Sequence, residues 1–258
     1  MNRLNQSIAS MSRSMKIFLR DKAIFGSSVF IPMFFLLLLP FVMFQDVPVE
    51  IMPSLKAYTV IAMVVLLISS VGVSNLAGSI AGDRDHGLYS KLSSMPVSPW
   101  FESIGRILTV IRFSFLGSTA IIVVGVLYGA QFTITVVDLL WAIGIASFIA
   151  IAAAGIGLIV GSFVKTESAA AHVGVAIVLV NYFIGAAIPY AELPDLLKPI
   201  ARISPFSSGN NMIATRFLGA EFIGYNPWSL LDLGLLLTLS VALFITGLVV
   251  YCRFCWKR

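Results

Sequence analysis

Long apolar runs alternate with short polar stretches along almost the whole chain. Six such runs cover residues 24–44, 57–81, 104–128, 139–164, 169–188 and 228–251. Each has about the 20 residues that an α-helix needs to cross the hydrocarbon core of a bilayer. The runs are continuously apolar and lack the alternation that strands of a membrane barrel require. The pattern therefore predicts an all-α polytopic membrane protein with six transmembrane helices.

Composition excludes a soluble fold, because 59% of the 258 residues are hydrophobic and only 11% are charged. Soluble domains carry roughly 25% charged residues. No polar stretch is long enough for a second domain, so residues 1–258 are expected to form one transmembrane domain. The net charge of +5 is attributed to membrane topology and not to nucleic-acid binding, because membrane proteins concentrate Lys and Arg in their cytoplasmic loops.

The distribution of Lys and Arg predicts the orientation of the chain. If both termini lie in the cytoplasm, the outer loops contain only four Lys and Arg residues. These are Lys56, Lys198, Arg202 and Arg216. Arg112 lies one or two turns into the third span, from which a long side chain can snorkel toward the cytoplasm. We therefore expect a multi-pass protein of the cytoplasmic (plasma) membrane with its N- and C-termini inside.

Residues 2–22 form a candidate amphipathic helix. Apolar side chains recur there at steps of four and three, at Leu4, Ile8, Met11, Met15 and Phe18. Cations lie on the opposite side, at Arg13, Lys16 and Arg20. This pattern predicts a helix in the membrane interface, with its cations directed toward anionic lipid head groups.

A polar segment of mixed charge, residues 82–99, separates the second and third apolar runs. Asp83 and Asp85 would suit the positive start of a short helix. Leu88 and Leu92 would give that helix one apolar edge, Lys91 would lie near its end, and Pro96 and Pro99 would terminate it. We interpret the segment as a short cytoplasmic helix that a soluble partner binds. An ordinary solvated loop is the alternative.

The outer segment, residues 189–227, is too long for a hairpin and too apolar for a free loop. Residues 193–201 and 210–218 are expected to form two short amphipathic helices in or on the outer leaflet. Small residues also recur at helical spacing, at Gly125 and Gly129 and at Ala153, Gly157 and Gly161. Such faces let helices approach closely. We expect them to pack within the subunit, with contact between subunits as the second possibility.

No catalytic or metal-binding constellation is visible in the sequence. His86 and His172 lie in different regions, and Cys252 and Cys255 lack the further ligands of a zinc site. Carriers coupled to ions place ionisable groups in mid-membrane, whereas the predicted spans are nearly free of them. Energy for transport would therefore come from outside the spans. The candidate pathway residues are Asn75, Asn181 and Tyr182, for which packing is the alternative role.

Two regions of the sequence resemble the ABC-2 type transporter permeases. The first is residues 82–99 together with Gly105-Arg106, and it is similar to the cytoplasmic segment of that family. The second contains Gly185 to Pro189, Leu193-Pro194, Ser204-Pro205-Phe206 and Arg216. The sequence departs from the family pattern in having Asp83 or Asp85 where Glu is usual, and Ser204 where Asn is common.

The resemblance implies a permease subunit of an ATP-driven exporter, which is not an enzyme by itself. It would move an amphipathic drug, lipid or glycan-type substrate outward by alternating access. Two permease subunits, identical or different, would pair among membrane lipids, and each would bind a separate ABC ATPase. ATP and Mg²⁺ would be held by the ATPase, with no cofactor and no metal on this chain.

The resemblance also implies roles for particular residues. The ATPase-coupling residues would be Asp83, Arg84, Asp85, His86, Gly87, Leu88, Lys91, Leu92 and Pro96. The outer segment, with Pro189, Pro194, Pro205 and Arg216, would close the exit. Two alternatives stay open, an ion-coupled secondary transporter and a membrane sensor or scaffold that transports nothing. An ion-coupled carrier would work without ATP, and a scaffold would bind an ATPase and move no substrate.

Overall fold

The computed structural model describes residues 3–43, 48 and 50–256. All regular secondary structure in this part is helical. The α-helices are α1 (Arg3–Arg20), α2 (Lys22–Met43), α3 (Met52–Ser69), α4 (Leu76–Asp85), α5 (Leu88–Ser93), α6 (Pro99–Leu127), α7 (Val136–Phe163), α8 (Glu167–Gly185), α9 (Lys198–Ile203), α10 (Pro205–Leu218), α11 (Ala220–Ile223) and α12 (Leu230–Phe254). A π-helical segment, Ser70–Asn75, joins α3 to α4, and a 3-10 turn covers Tyr190–Glu192.

Five helices of the described residues are long and apolar enough to cross a membrane. They are the continuous helix Met52–Asp85 and helices α6, α7, α8 and α12, which correspond to the second to sixth predicted runs. Helix α2 covers the first predicted run and contains Pro32 and Pro40. Its described apolar part, Ser28–Val42, is shorter. The six-span count therefore stays a prediction.

The 34-residue helix Met52–Asp85 forms the centre of the bundle and is mostly buried. Helices α2, α6, α7, α8 and α10 surround it, and α12 packs on the far side of α7. Helices α1 and α5 lie at one end of this bundle, which we call the α5 end. Helices α9, α10 and α11 lie at the opposite end, the α10 end.

Small residues allow α7 to approach the central helix at backbone distance. A Cβ atom added at Gly157 would overlap the carbonyl oxygen of Gly72. One added at Gly161 would lie 2.8 Å from the carbonyl oxygen of Ala77. Ala153 also contacts Gly72 from the same face of α7. The prediction that these small residues pack within the subunit is therefore confirmed.

The two glycines predicted to form a packing face on α6 have different roles. Gly125 lies against Val60 of α3 and leaves no room for a side chain. Gly129 lies beyond the end of α6 at φ +98°. Because side chains disfavour that backbone conformation, Gly129 serves the turn after α6 and not helix packing.

The α10 end contains the short helices expected in the outer segment, with shifted boundaries. Helix α9 begins at Lys198, so the prediction of a helix from residue 193 is wrong at its start. Helix α10 begins five residues before the predicted 210, at Pro205. Proline suits the first turn of a helix, where no backbone N–H is needed. The prolines therefore start these helices, whereas the prediction used them only as boundaries.

One ion pair ties α9 to the start of α12 at the α10 end. Arg202 donates through Nη2 at 2.9 and 3.1 Å and through Nε at 3.1 Å to the Asp232 carboxylate. Asp232 is almost fully buried, and the Ser229 hydroxyl also donates to it at 2.8 Å. The hydrogen bonds to Asp232 raise the pKa of Arg202. The carboxylate thus fixes α9 against the membrane-spanning helix.

Replacing Asp232 by Ala is expected to lower the free energy of unfolding by about 2–3 kcal/mol, because the bidentate pair with Arg202 and the hydrogen bond from the Ser229 hydroxyl are lost together. Thermal unfolding of the purified protein in detergent measures this change. Asp195→Ala is the control, since Asp195 pairs with Lys198 at the surface and should leave the melting temperature unchanged. Equal melting temperatures for the two variants would contradict the structural role of Asp232.

Candidate functional site

A single glycine divides the polar segment 82–99 into two helices. Helix α4 continues to Asp85, and Gly87 follows with the left-handed φ of +68°. Helix α5 then covers six residues before the chain turns into α6. Glycine adopts positive φ without the steric penalty that other residues meet. The break between α4 and α5 is therefore set by Gly87.

Asp83 and Asp85 lie in the last turn of α4. The prediction that they begin a short helix, at the positive end of its dipole, is therefore wrong. The apolar run ends near residue 81, but the helix continues for another turn. A helix needs apolar side chains only where it is buried or in lipid, so the end of the apolar run does not mark the end of the helix.

The predicted coupling residues of this segment divide into an outer and an inner group. The outer group is exposed and consists of Asp85, His86, Lys91 and Pro96. Leu88 and Leu92 are half-buried, and Leu92 packs against the core of the bundle. We call the exposed group the α5 face. It presents charges of both signs on α5 and on the residues that flank it, outside the apolar part of the bundle.

Arg84 belongs to the inner group and ties α4 to the end of α7. Its guanidinium donates to the carbonyl oxygens of Ser162 and Val164. These oxygens lie at the C-terminal end of α7, where helix carbonyls lack partners within the helix and attract cations. Arg84 therefore holds two membrane-spanning helices together and contributes little to the α5 face.

Arg106 is the centre of a buried charge cluster, which we define as Asp83, Glu102, Arg106 and Tyr251. Its Nε lies 2.5 Å from Glu102 Oε1, one helical turn earlier on α6. Its Nη2 lies 2.5 Å from Asp83 Oδ2 on α4. The Tyr251 hydroxyl of α12 donates to the other Glu102 oxygen. The cluster joins α4, α6 and α12, with Arg106 1% exposed and Asp83 at its partly exposed edge.

Tyr89 packs α5 onto this buried charge cluster. Its ring lies 5.7 Å from the Tyr251 ring, edge to face, and 5.7 Å from the Trp256 ring. The Arg106 guanidinium lies 5.8 Å from the Tyr89 ring centre, within cation–π range. Burial raises the pKa of Tyr89, so its hydroxyl stays neutral. A displacement of α5 therefore acts directly on the cluster.

Helix α1 lies along the first turns of α6 through a face of small polar residues. Three side chains donate to backbone carbonyls: Gln6 to Pro96 at 3.1 Å, Ser7 to Phe101 at 2.8 Å, and Ser10 to Glu102 at 2.9 Å. A Cβ at Gly105 would lie 2.5 Å from the Ser7 carbonyl oxygen. Gly105 therefore allows the two helices to approach closely.

The predicted cationic side of α1 is exposed, with one cation directed at the buried charge cluster. Arg13 Nη2 lies 2.5 Å from Asp83 Oδ1, and its side chain is 41% exposed. Lys16 and Arg20 are exposed. Arg13 therefore links α1 to α4, while the other two cations are open to anionic lipid or to a partner.

The predicted apolar face of α1 is divided between two environments. Phe18 is buried against Phe113 of α6, with ring centres 5.6 Å apart. Leu4 and Ile8 are exposed. The helix thus has three faces, because serine side chains bury a third face that the spacing of apolar residues did not indicate.

The three candidate pathway residues are not brought into one site. The Asn75 amide lies 2.5 Å from the Ser28 hydroxyl of α2. Asn181 accepts a hydrogen bond from Ser204 at 3.1 Å, and Tyr182 is buried beside it on α8. These contacts join helices within the subunit, and a pathway role for these residues stays a prediction.

The four predicted residues of the outer segment have different surroundings. Pro189 and Pro205 are buried, whereas Pro194 is exposed. Arg216 is exposed and lies 3.5 Å from Asp138 at the start of α7. Arg216 therefore bridges α10 and α7 across the α10 end.

The sequence did not reveal the roles of Glu102, Arg106 and Tyr251. The first two offered a signal, since an acid and a base four residues apart face the same side of a helix. The sequence offered no signal for Tyr251, because this residue is nearly 150 positions from Glu102 and contacts it only in the folded chain.

Replacing Gly87 by Val should disturb the junction of α4 and α5 by its φ alone, because only Ser90 Oγ lies within 4 Å of an added Cβ. A left-handed conformation costs other residues about 1–2 kcal/mol, and Val more. We expect a lower melting temperature for Gly87→Val. Gly87→Asn is the control, because Asn tolerates this conformation. Equal melting temperatures for Val and Asn would contradict the role of this φ.

The family model described as ABC-2 type transporter matches residues 5–218 of the chain. No curated protein matches the sequence. The matched range includes most of α1, the polar segment 82–99, Glu102 and Arg106 of the buried charge cluster, and most of the α10 end. The chain therefore belongs to the ABC-2 type transporter family, which confirms the resemblance.

Membership identifies the chain as a multi-pass permease component of an ABC transporter. The family generally does not catalyse a reaction by itself and associates with an ABC ATPase subunit.

Proposed function

We propose that this permease exports an amphipathic drug, lipid or glycan-type substrate, and that a separate ATPase drives it through the α5 face. The α5 face would bind the ATPase by its exposed Asp85, His86, Lys91 and Pro96. ATP-driven closure of the ATPase pair would displace α5. The displacement would switch the bundle between inward and outward access.

The observation that carries this proposal is the position of the buried charge cluster directly beneath α5. Tyr89 of α5 packs on Arg106 and Tyr251. Asp83 lies in the last turn of α4, directly before the break at Gly87. Packed interiors transmit displacement because they have few voids and low compressibility. Movement of α5 therefore reaches α4, α6 and α12 together.

The same proposal orients the protein in the membrane. Helix α2 is the first of six spans, and the α5 end faces the cytoplasm with both termini. Leu4 and Ile8 of α1 would enter the interface of the inner leaflet, and Lys16 and Arg20 would contact anionic head groups. The α10 end would then close the exit on the outside of the plasma membrane. Two permease subunits would complete the pathway.

A charge exchange on the α5 face tests the coupling role. The double variant Asp85→Lys with Lys91→Glu keeps the net charge and reverses the charge pattern. Because charges at an interface select partners by their pattern, we expect at least about tenfold weaker binding of the ATPase, measured by titration in detergent, and loss of ATP-driven transport in vesicles.

Glu221→Lys is the matched control, because Glu221 is exposed at the α10 end. It should leave ATPase binding unchanged. Both variants should insert into the membrane in wild-type amounts, since exposed residues are changed. Normal ATPase binding by the charge-exchange variant would rule out the α5 face as the docking site.

A further inference from the structure

Arg112 is an exposed charge inside a membrane-spanning helix. It lies on α6, about 20 Å along the axis from Pro99. Leu108 and Leu116, one turn to either side, are also exposed. Among the described side chains, Arg112 has no hydrogen-bond or ion-pair partner. The neighbouring Phe113 contacts Phe18 of α1, so a long cationic side chain at position 112 reaches the head-group region, where it can bind an anionic group.

An apolar cavity of about 240 Å³ lies beside α6, toward the α10 end. Its walls come from α3, α6, α7 and α10, and they include Val64, Phe115, Ile122, Ala142 and Phe217. The cavity is partly open at its side, next to Leu139 and Ile143, which are exposed on α7. A cavity with this apolar lining suits an alkyl chain.

One polar atom in the cavity wall has no partner. Ser118 is 6% exposed, and its hydroxyl makes no hydrogen bond with any described residue. Buried hydroxyl groups in folded proteins usually have a hydrogen-bond partner. Ser118 thus offers a hydrogen bond to a polar group of a ligand within an otherwise apolar wall.

Arg112 and the cavity lie on adjoining parts of α6. Phe115 and Thr119, which line the cavity, follow Arg112 by three and seven residues and therefore lie near its side of the helix. Thr119 is about 10 Å further along the axis. Arg112 is not part of the cavity wall, but it lies on α6 about one turn before the first lining residue, on the side nearer the α5 end. Apolar space extends from there toward the α10 end.

We propose that Arg112 and this cavity bind an anionic amphiphile with one alkyl chain, and that this amphiphile is the cargo of the permease. This inference rests on the proposed export function. The guanidinium would hold a phosphate or carboxylate head, and the chain would fill the cavity. In the proposed orientation the head points toward the cytoplasm, as it does in a lipid of the inner leaflet.

Binding of lysophosphatidylglycerol tests the site. The purified chain, in a neutral maltoside detergent, is titrated with this lipid, and bound molecules are counted by native mass spectrometry. Lysophosphatidylcholine offers the same chain with a zwitterionic head, and glycerol 3-phosphate offers a head without a chain. We expect lysophosphatidylglycerol to bind about tenfold more tightly than lysophosphatidylcholine, and glycerol 3-phosphate not to bind.

Arg112→Gln should abolish the preference for the anionic lipid, and Arg112→Lys should keep most of it. Arg253→Gln is the matched control, because Arg253 is exposed at the end of α12, and it should retain the preference. Ala142→Phe should weaken both lysolipids equally by filling the cavity. If Arg112→Gln still prefers lysophosphatidylglycerol over lysophosphatidylcholine, the proposed site is wrong. This holds even if that variant changes the oligomeric mass. Equal loss in Arg253→Gln overturns it as well.

ATP hydrolysis by the assembled transporter distinguishes cargo from a resident lipid. We expect lysophosphatidylglycerol to stimulate hydrolysis by the wild-type complex, and Arg112→Gln to lose this stimulation. A lipid that binds through Arg112 without stimulating hydrolysis would contradict the cargo assignment. Failure of the wild-type chain to bind the ATPase would instead contradict the proposed coupling function, because the binding titration uses the permease alone.

Discussion

Replacing Arg106 by Leu is expected to remove about 3–5 kcal/mol from the free energy of unfolding, because it leaves the Glu102 carboxylate buried without its charge partner. Asp83 would keep its contact with Arg13. Thermal unfolding of the purified protein and its monodisperse fraction in detergent measure the loss. A melting temperature near wild type would show that the buried charge cluster does not stabilise the α5 end.

Two further variants separate the effect of the charge from that of the side-chain volume. Arg13→Leu should cost less than about 1 kcal/mol, because Arg13 is 41% exposed and exposed pairs contribute little. Adding Glu102→Gln to Arg106→Leu should recover part of the stability by removing the unpaired carboxylate. Further destabilisation by Glu102→Gln would indicate that lost packing dominates.

Replacing Gly157 by Ala is expected to cost about 3 kcal/mol, because the new methyl group would overlap the carbonyl oxygen of Gly72 in the central helix. Overpacking of a close helix contact typically costs 1–3 kcal/mol, and more when backbone must move. Helix α7 would have to separate from the centre of the bundle. Thermal unfolding in detergent measures the change.

Gly144→Ala is the matched control on the same helix. Nothing lies within 4 Å of a Cβ added there, and Ala favours a helix over Gly by up to about 1 kcal/mol. Gly144→Ala should therefore be neutral or stabilising. Equal unfolding temperatures for the two alanine variants would contradict the close contact between α7 and the central helix.

The sequence predicted much of the helix pattern because a helix that crosses lipid needs a continuous run of apolar side chains. Five of the six apolar runs appear as helices of sufficient length to cross a membrane. The rule fails at their ends, where water replaces lipid. Helix α4 continues past the apolar run to Asp85, and α6 begins at Pro99, before Ile104. Polar residues there are helical because neighbouring elements bind them.

The sequence marked residues 82–99 as a polar segment between two apolar runs, but it did not show the internal organisation of that segment. The exposed residues Asp85 and Lys91 have the surroundings that a solvated helix predicts. Asp83 and Arg84 look equivalent to them in sequence, yet each contacts a different helix. A single sequence does not show which charges point inward, because the partners of Asp83 and Arg84 come from distant parts of the chain.

Cysteine labelling at position 86 tests the central claim most directly. His86→Cys is introduced after Cys252 and Cys255 have been replaced by Ser, and Leu196→Cys at the α10 end, where Leu196 is 84% exposed, serves as the reference. We predict that a membrane-impermeant maleimide reaches position 86 only in inside-out vesicles, that bound ATPase blocks it, and that position 196 reacts only from outside. Labelling of position 86 from outside, or labelling unaffected by the ATPase, would contradict the account.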